Sequence, residues 1–572
     1  AMAQLAPDAN GYHPSKSARG HERTNRSDID ARFVLEEEHS PFPYSTSHSS
    51  SQSLKEVIAF APGDQDNPHN WSNRKKSFVV FNGVALVMSS TIGSSIAAGA
   101  SHQFATFFNI TSQAQLVLPT SSYLVGYVVG PLLFGPLSEY HGRKKIMILT
   151  FALFSAFTLG CALAPNFVGH GYRCFLANIG GGWVSMQIHK RLEMPGLNSH
   201  ASIYADIYPD PVTRGRALTI FMTATTFGPI LGPIMSGFIA VVSWRWIFWL
   251  SLIIAGVTWP ILLLSSETYA PVILVTRAQR LRKENNNPNI FAPLELEHRD
   301  MRQLITVVLT RPVRMFLSEA LVLCSCLYLS FVYAIFYMYF QAYPTIFEGI
   351  YHFNSGEVGL TFLPIGVGAL LACGLYLYWD RVLEEQRRGI RPLHGRRVKS
   401  IDGSLWRALE ARCSCSAAFG LDRCQWTARE SIHWAVPVLS ALPFGMGFLL
   451  LFMSLINYLV DAYEVFAASA MAASACSRSL FGAVLPFAAR PMYQRLGVAW
   501  ACSLLGFLSL AMCAIPFVFI RYGNTIREKS SFCQYLKQCK MQENEQRQVQ
   551  ERRMQQEGRS GVDEAIAVEK LV

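Results

Sequence analysis

An α-helix needs about 20 residues nearly free of Asp, Glu, Lys and Arg to cross the hydrocarbon core of a bilayer, and few folds tolerate many such stretches. This chain contains ten, at approximately residues 77–99, 115–136, 146–164, 217–241, 246–265, 317–342, 358–379, 434–459, 465–489 and 498–520, with Glu319 and Arg478 as the exceptions inside them. In lipid each backbone N–H and C=O must be satisfied within the chain, so runs of this length read as helices. Composition agrees, with 51% hydrophobic and only 16% charged residues and a mean hydropathy of +0.22. The fold class expected is an all-α membrane protein.

Basic residues flank the runs on alternate sides. Arg74, Lys75 and Lys76 precede the first run, none lies between the first and second, and Arg143, Lys144 and Lys145 follow the second. The positive-inside rule places the N-terminus in the cytoplasm. Arg214, Arg216, the loop 266–316, the cluster from Arg381 to Lys399 and the tail after Arg521 join it there, while the loop 343–357, without Lys or Arg, lies outside.

This orientation demands two more crossings, one between Pro165 and Arg214 and one between Lys399 and Ser431. Both are poor sequences. Residues 404–426 carry Arg407, Glu410, Arg412, Asp422 and Arg423, at about 2.5–3.5 kcal/mol for each charge near the bilayer centre. The expected layout is therefore two six-helix bundles, 76–265 and 317–521, with spans 4 and 9 poorly formed. A cytosolic central loop, 266–316, joins them. Residues 1–75, polar and without the apolar core of a signal peptide, are expected to be disordered and cytosolic, and 522–572 form a cytosolic tail.

Several function classes are excluded. The net charge of +11 is dispersed in short clusters between apolar runs, so no basic face for nucleic acid is expected. The 13 cysteines are scattered without a C-x-x-C pair, which argues against a disulfide framework or a metal site. No paired carboxylates within a span, nucleophile motif or phosphate-binding glycine loop is present, so an enzyme is not expected.

Two motifs carry more than hydropathy. The loop Gly135-Pro-Leu-Ser-Glu139-Tyr-His-Gly142-Arg143-Lys144-Lys145 sets a carboxylate among cations at a helix end, an arrangement able to act as a state-dependent latch. In the fifth run, Gly228-Pro229-Ile-Leu-Gly232-Pro233-Ile-Met-Ser-Gly237 lines up small residues where helices approach closely, with prolines loosening the backbone.

The first of these resembles the signature loop of the major facilitator superfamily, with Glu139 for the usual Asp and Tyr140 for the usual Arg. The paired Gly-Pro units resemble the antiporter motif of its proton-coupled drug exporters. Gly63 to Trp71 (GDQDNPHNW), Ser243 to Trp249 (SWRWIFW), Ser266 to Pro271 (SETYAP) and Asn457 to Tyr463 (NYLVDAY) are similar to the fungal twelve-span drug:proton antiporters, among them polyamine and multidrug exporters. The resemblance covers about residues 60–168, 201–394 and 425–530. It lapses at 169–200 and 395–424, as a retained intron or shifted reading frame would cause.

Ionisable and aromatic residues inside spans mark a substrate pathway. Tyr328, Tyr333, Tyr337, Phe444, Asn457 and Arg478 are the candidates. Arg478 can bind an anionic group or hold a carbonyl-rich helix end, the second suiting a cation exporter better. No residue stands out as a proton carrier: Glu319 and Asp461 sit near span ends, where an ion pair fits. Asn109-Ile-Thr111 is a glycosylation sequon in an outside loop.

The resemblance implies a proton-driven exporter of a drug, toxin or secondary metabolite in a plasma membrane, working as a monomer by alternating access, with no cofactor beyond the proton gradient. Its partners would be a small-molecule substrate and the lipid bilayer. Alternatives are a transporter-like sensor or non-transporting product, a polyamine exporter, and a nutrient uptake carrier.

Overall fold

The structure, a computed structural model of the chain, describes residues 56–164, 207–296 apart from Pro209, 301–387, 431–463, 466–530 and 532–542, with single positions around them. The expected spans 4 and 9 lie outside the described residues.

Each remaining apolar run is a helix. The first set comprises α1 (Asn73–Ile96), α2 (Gln113–His141), α3 (Arg143–Ala162), α4 (Pro211–Ile239) and α5 (Arg245–Leu264). The central loop, read from sequence as a basic connection, folds into α6 (Ala270–Glu284) and α7 (Met301–Ser318). The second set follows as α8 (Ala320–Tyr343), α9 (Ser355–Leu360), α10 (Leu363–Arg387), α11 (Ala441–Tyr463), α12 (Ala467–Met512) and α13 (Ala514–Lys529).

Among the described residues nine helices are long and apolar enough to cross a membrane, or ten if Ser503–Phe519 and Arg521–Lys529, bent by 52°, count as one span. Within α12 the backbone breaks at Gly497, whose φ of +73° is cheap only for glycine, and this turn separates two of the expected spans.

Burial sorts the helices by position. α8 is buried almost throughout, from Leu321 to Tyr343, and so runs through the protein interior. α5 instead leaves Ile253, Val257 and Leu264 more than half exposed. Large apolar side chains turned outward on many helices have no place in water but suit lipid tails.

The fifth-run glycines account for close packing at α4. A Cβ on Gly228 would stand 1.8 Å from Thr91 Oγ1, and one on Gly232 would stand 2.1 Å from Ser95 Oγ, so both positions seat α4 directly on α1. A Cβ on Gly237 would stand 2.3 Å from the Ser355 carbonyl oxygen, which brings α4 equally close to α9.

The structure corrects the reading of the N-terminal region as disordered to residue 75. A short strand, β1 (Glu56–Val57), pairs in parallel with β2 (Ile290–Phe291). Ile58 and Phe60 pack on Leu274, Ala278 and Ile290 of the central loop, and Asp64 pairs with Arg277 of α6. The segment is ordered by partners more than 200 positions away, which no local pattern announces.

Candidate functional site

The two sets of helices meet along a seam with three tiers. The first lies at the end carrying the basic clusters. Arg216, in the first turns of α4, donates from Nε to Asp380 Oδ2 at 2.7 Å and from Nη2 to Glu384 Oε2 at 2.5 Å, both near the end of α10. All three side chains are partly exposed, between 20% and 32%, so the contact is water-accessible and breakable.

The middle tier is aromatic and hydroxyl-rich. Tyr337 of α8 lies 2.9 Å from Ser94 Oγ of α1, and Tyr333, one turn back, donates to Tyr337 at 3.4 Å. Ser90 lies 2.9 Å from Tyr127 OH, and Tyr123 donates to the Ser90 carbonyl at 2.6 Å, tying α2 to α1. Ser121 of α2 donates to the Ala483 carbonyl of α12 at 2.7 Å, a second link between the sets. Arg478 of α12 closes this tier, its guanidinium carbon 5.9 Å from the Tyr333 ring and 5.6 Å from the Phe452 ring.

The third tier is at the opposite end, where the Gly237–Ser355 approach and a similar one between Gly359 and the Pro233 carbonyl pack the sets backbone to backbone, beside a crevice lined by His102 and Glu348. The seam thus carries an ion pair at one end, side-chain hydroxyls in the middle and backbone packing at the other end.

The sequence candidates are distributed unevenly over this frame. Tyr333, Tyr337 and Arg478 come together in the middle tier. Tyr328 is fully buried on the other side of α8, its hydroxyl 3.5 Å from Cys513 Sγ. Phe444 belongs to an aromatic stack, 5.0 Å from the Tyr339 ring and 6.1 Å from Phe448. Asn457 is half-buried further along α11 toward the basic end. Asn109 is exposed in the loop before α2.

Glu319 differs from its expected ion pair. It is 4% exposed and accepts from Tyr463 OH at 3.0 Å, with no salt bridge among the described residues. The side chain of Asp461 lies outside the described residues.

The signature loop is held by a residue that sequence reasoning quoted only as part of a motif. Glu267, just beyond α5, accepts from the Arg143 amide at 3.2 Å and the Lys144 amide at 3.0 Å, so a carboxylate caps the positive end of α3. Lys144 Nζ in return donates at 3.1 Å to the Leu263 carbonyl in the last turn of α5. Gly142, at φ +92°, makes the turn between α2 and α3, and a Cβ there would meet Glu267 Oε2 at 2.9 Å. Gly135 and Glu139 lie in the last turns of α2, with their side-chain surroundings outside the described residues. Phe452, Ser90, Ser94 and Tyr127 were also missed, although the run Ser89-Ser-Thr-Ile-Gly-Ser-Ser95 is an unusual density of hydroxyls for a membrane span.

Comparison with known proteins fits this geometry. A family model described as Major Facilitator Superfamily matches residues 79–486. The chain is 35% identical over 477 residues to the MFS-type transporter acdC of Aspergillus candidus, covering 82% of this chain and 89% of the relative. It is 35% identical over 491 residues to the efflux pump FUBT of Fusarium oxysporum, covering 84% and 77%. Among solved structures, the xylose transporter XylE from E. coli superposes with a TM-score of 0.52 at 16% identity, over 78% of this chain and 98% of that one, a likeness of fold. With two sets of membrane helices meeting along a polar seam, and with a family match across most of its length, the chain belongs to the major facilitator superfamily of membrane transporters.

Proposed function

We propose that this transporter exports amphipathic small organic molecules from the cytosol by alternating access, in exchange for protons. The observation that carries the reading is the seam itself. The polar contacts joining the two sets at the basic end and in the middle are an ion pair and single hydroxyl hydrogen bonds, each worth about 1 kcal/mol, set within non-directional apolar packing such as that of Gly366 on Phe227. Two sets whose directional links are of that size can exchange them as they rock, opening at one end and then the other.

The substrate reading rests on the middle tier, where Tyr333, Tyr337 and Phe452 offer ring faces and hydroxyls near Arg478. Such a surface suits an apolar body with a polar group. Export is favoured over uptake by the Gly-Pro seam of α4 and by relatives named as an efflux pump. In this reading the basic end faces the cytosol, both termini lie there, and the protein works as a monomer in the plasma membrane. Glu319, the buried carboxylate with a single phenol partner, is the group assigned to carry the coupling proton.

Accumulation of labelled amphipathic compounds in cells expressing the chain tests this. Export predicts lower accumulation than in control cells, abolished by collapsing the proton gradient and by Glu319→Gln. Raised accumulation would replace export with uptake, and gradient-independent export would remove the proton from the mechanism.

A further inference from the structure

Arg478 is a guanidinium set among the spans with no acid beside it among the described residues. Among the described residues it forms no salt bridge and no hydrogen bond, and it lies against the ring faces of Tyr333 and Phe452. A structural role holding a helix end would need its N–H groups on carbonyls, and none accepts from it. The described span carboxylates are engaged or placed elsewhere. Asp380 and Glu384 pair with Arg216 at the basic end, Glu319 takes Tyr463, and Glu348 stands at the far end of α8.

Keeping a cation among apolar helices without a counter-charge is expensive, and nature retains it where it meets one. Arg478 is partly exposed although flanked by rings from α8 and α11, and Tyr333, which lies against it, hydrogen-bonds to the Tyr337 that contacts α1. Gly482, one turn on in α12, packs against the same Tyr333 and against Leu124 of α2, so this stretch of α12 lies at the contact between the two sets. A guanidinium offers five donors in a planar fork that matches a carboxylate, and such charge-assisted bonds are about twice as strong as neutral ones. The flanking rings supply the complementary half of the recognition, a slot for a flat apolar body beside the charge.

We infer that this site selects organic anions, an aromatic or apolar body bearing a carboxylate, over cations of the same shape. The inference rests on the transport reading above and narrows its substrate class. It also disfavours polyamines, whose several ammonium groups would confront Arg478 with no acid among the described residues to receive them.

Three probes with one body test the point: 1-naphthoate, 1-naphthylmethylamine and 1-naphthalenemethanol, bound to the purified full chain in lipid nanodiscs. Naphthoate is expected to bind at least about tenfold tighter than the amine, with Arg478→Gln removing that advantage and Arg478→Lys keeping part of it. A thermal unfolding midpoint equal to that of the parent chain shows that both variants are folded. Equal or tighter binding of the amine, or naphthoate binding indifferent to Arg478→Gln, would overturn the inference. Counterflow of the same probes in proteoliposomes separates the two claims. Movement of the alcohol without preference for naphthoate defeats this inference and leaves transport standing. Arg478-dependent naphthoate binding without any movement defeats transport and leaves the anion site standing.

Discussion

Arg216 and Asp380, 164 positions apart in the chain, meet at 2.7 Å where α4 and α10 end together, and Glu384 grips the same guanidinium one turn further on. The relationship ties two helices from different sets at one end of the seam. In the alternating-access reading proposed above, this contact is made and broken once per cycle.

Removing the guanidinium by Arg216→Ala is expected to shift the balance of the two states by about 1 kcal/mol, close to fivefold in their ratio. Labelling of a cysteine placed on the basic end of α10 should rise accordingly. The charge-reversed Arg216→Glu should impair transport more than the alanine variant, because it sets a third acid against two.

Glu267 presents a different kind of contact, a full charge against the amide end of α3. Glu267→Gln retains an acceptor but loses the charge, and is expected to cost about 1 kcal/mol, up to about 2 if the site is well shielded. Thermal unfolding of the chain in detergent measures this, with a lower midpoint as the expected result.

Gly228→Ala should damage folding, since the added Cβ falls 1.8 Å from Thr91 Oγ1 and 2.6 Å from Thr91 Cβ. Overpacking of that kind costs about 1–3 kcal/mol. Gly256→Ala on α5 is the matched control, because a Cβ there meets nothing within 4 Å. Comparing the yield of folded protein from the two variants isolates the packing seam from the general cost of altering a span.

The docked segment before α1 makes a prediction about pH. The amide of Asp66, and after it the guanidinium of Arg277, hold the Asp64 carboxyl below its ordinary 3.8. A lowered value in the folded state means that the contribution is present above 3.8 and is lost as pH falls through the lowered value. Protection of residues 56–71 from proteolysis should therefore be level from neutral pH down to the ordinary carboxylate range and weaken only below it. Asp64→Asn should loosen the segment at neutral pH.

The helices were legible because lipid imposes a length and a composition that can be counted, and the ten runs reappear with small shifts at their ends. The Gly-Pro seam was legible for a similar reason, as close approach requires small residues at regular spacing. Partners were not. Arg216 read as a topology marker and Glu267 as one letter of a motif, because nothing local announces that each faces a residue more than 120 positions away. Tyr328 and Tyr333, five residues apart on α8, read alike in sequence, yet the helix turns one toward Cys513 and the other toward Arg478. Arg478 itself was legible as a charge in a span, while its place against two rings, with no acidic neighbour among the described residues, required three dimensions.

Asn109, exposed in the loop opposite the basic end, reports orientation directly. If that loop is extracellular, the expressed chain should lose mass on glycosidase treatment and Asn109→Gln should abolish the difference.

Counterflow by the purified full chain in proteoliposomes addresses transport most directly. Vesicles preloaded with an unlabelled amphipathic compound should draw in the labelled compound transiently above its external concentration, at a rate reduced by Arg216→Glu. Binding of the compound without any counterflow would contradict the account, identifying a protein that recognises small molecules but does not move them.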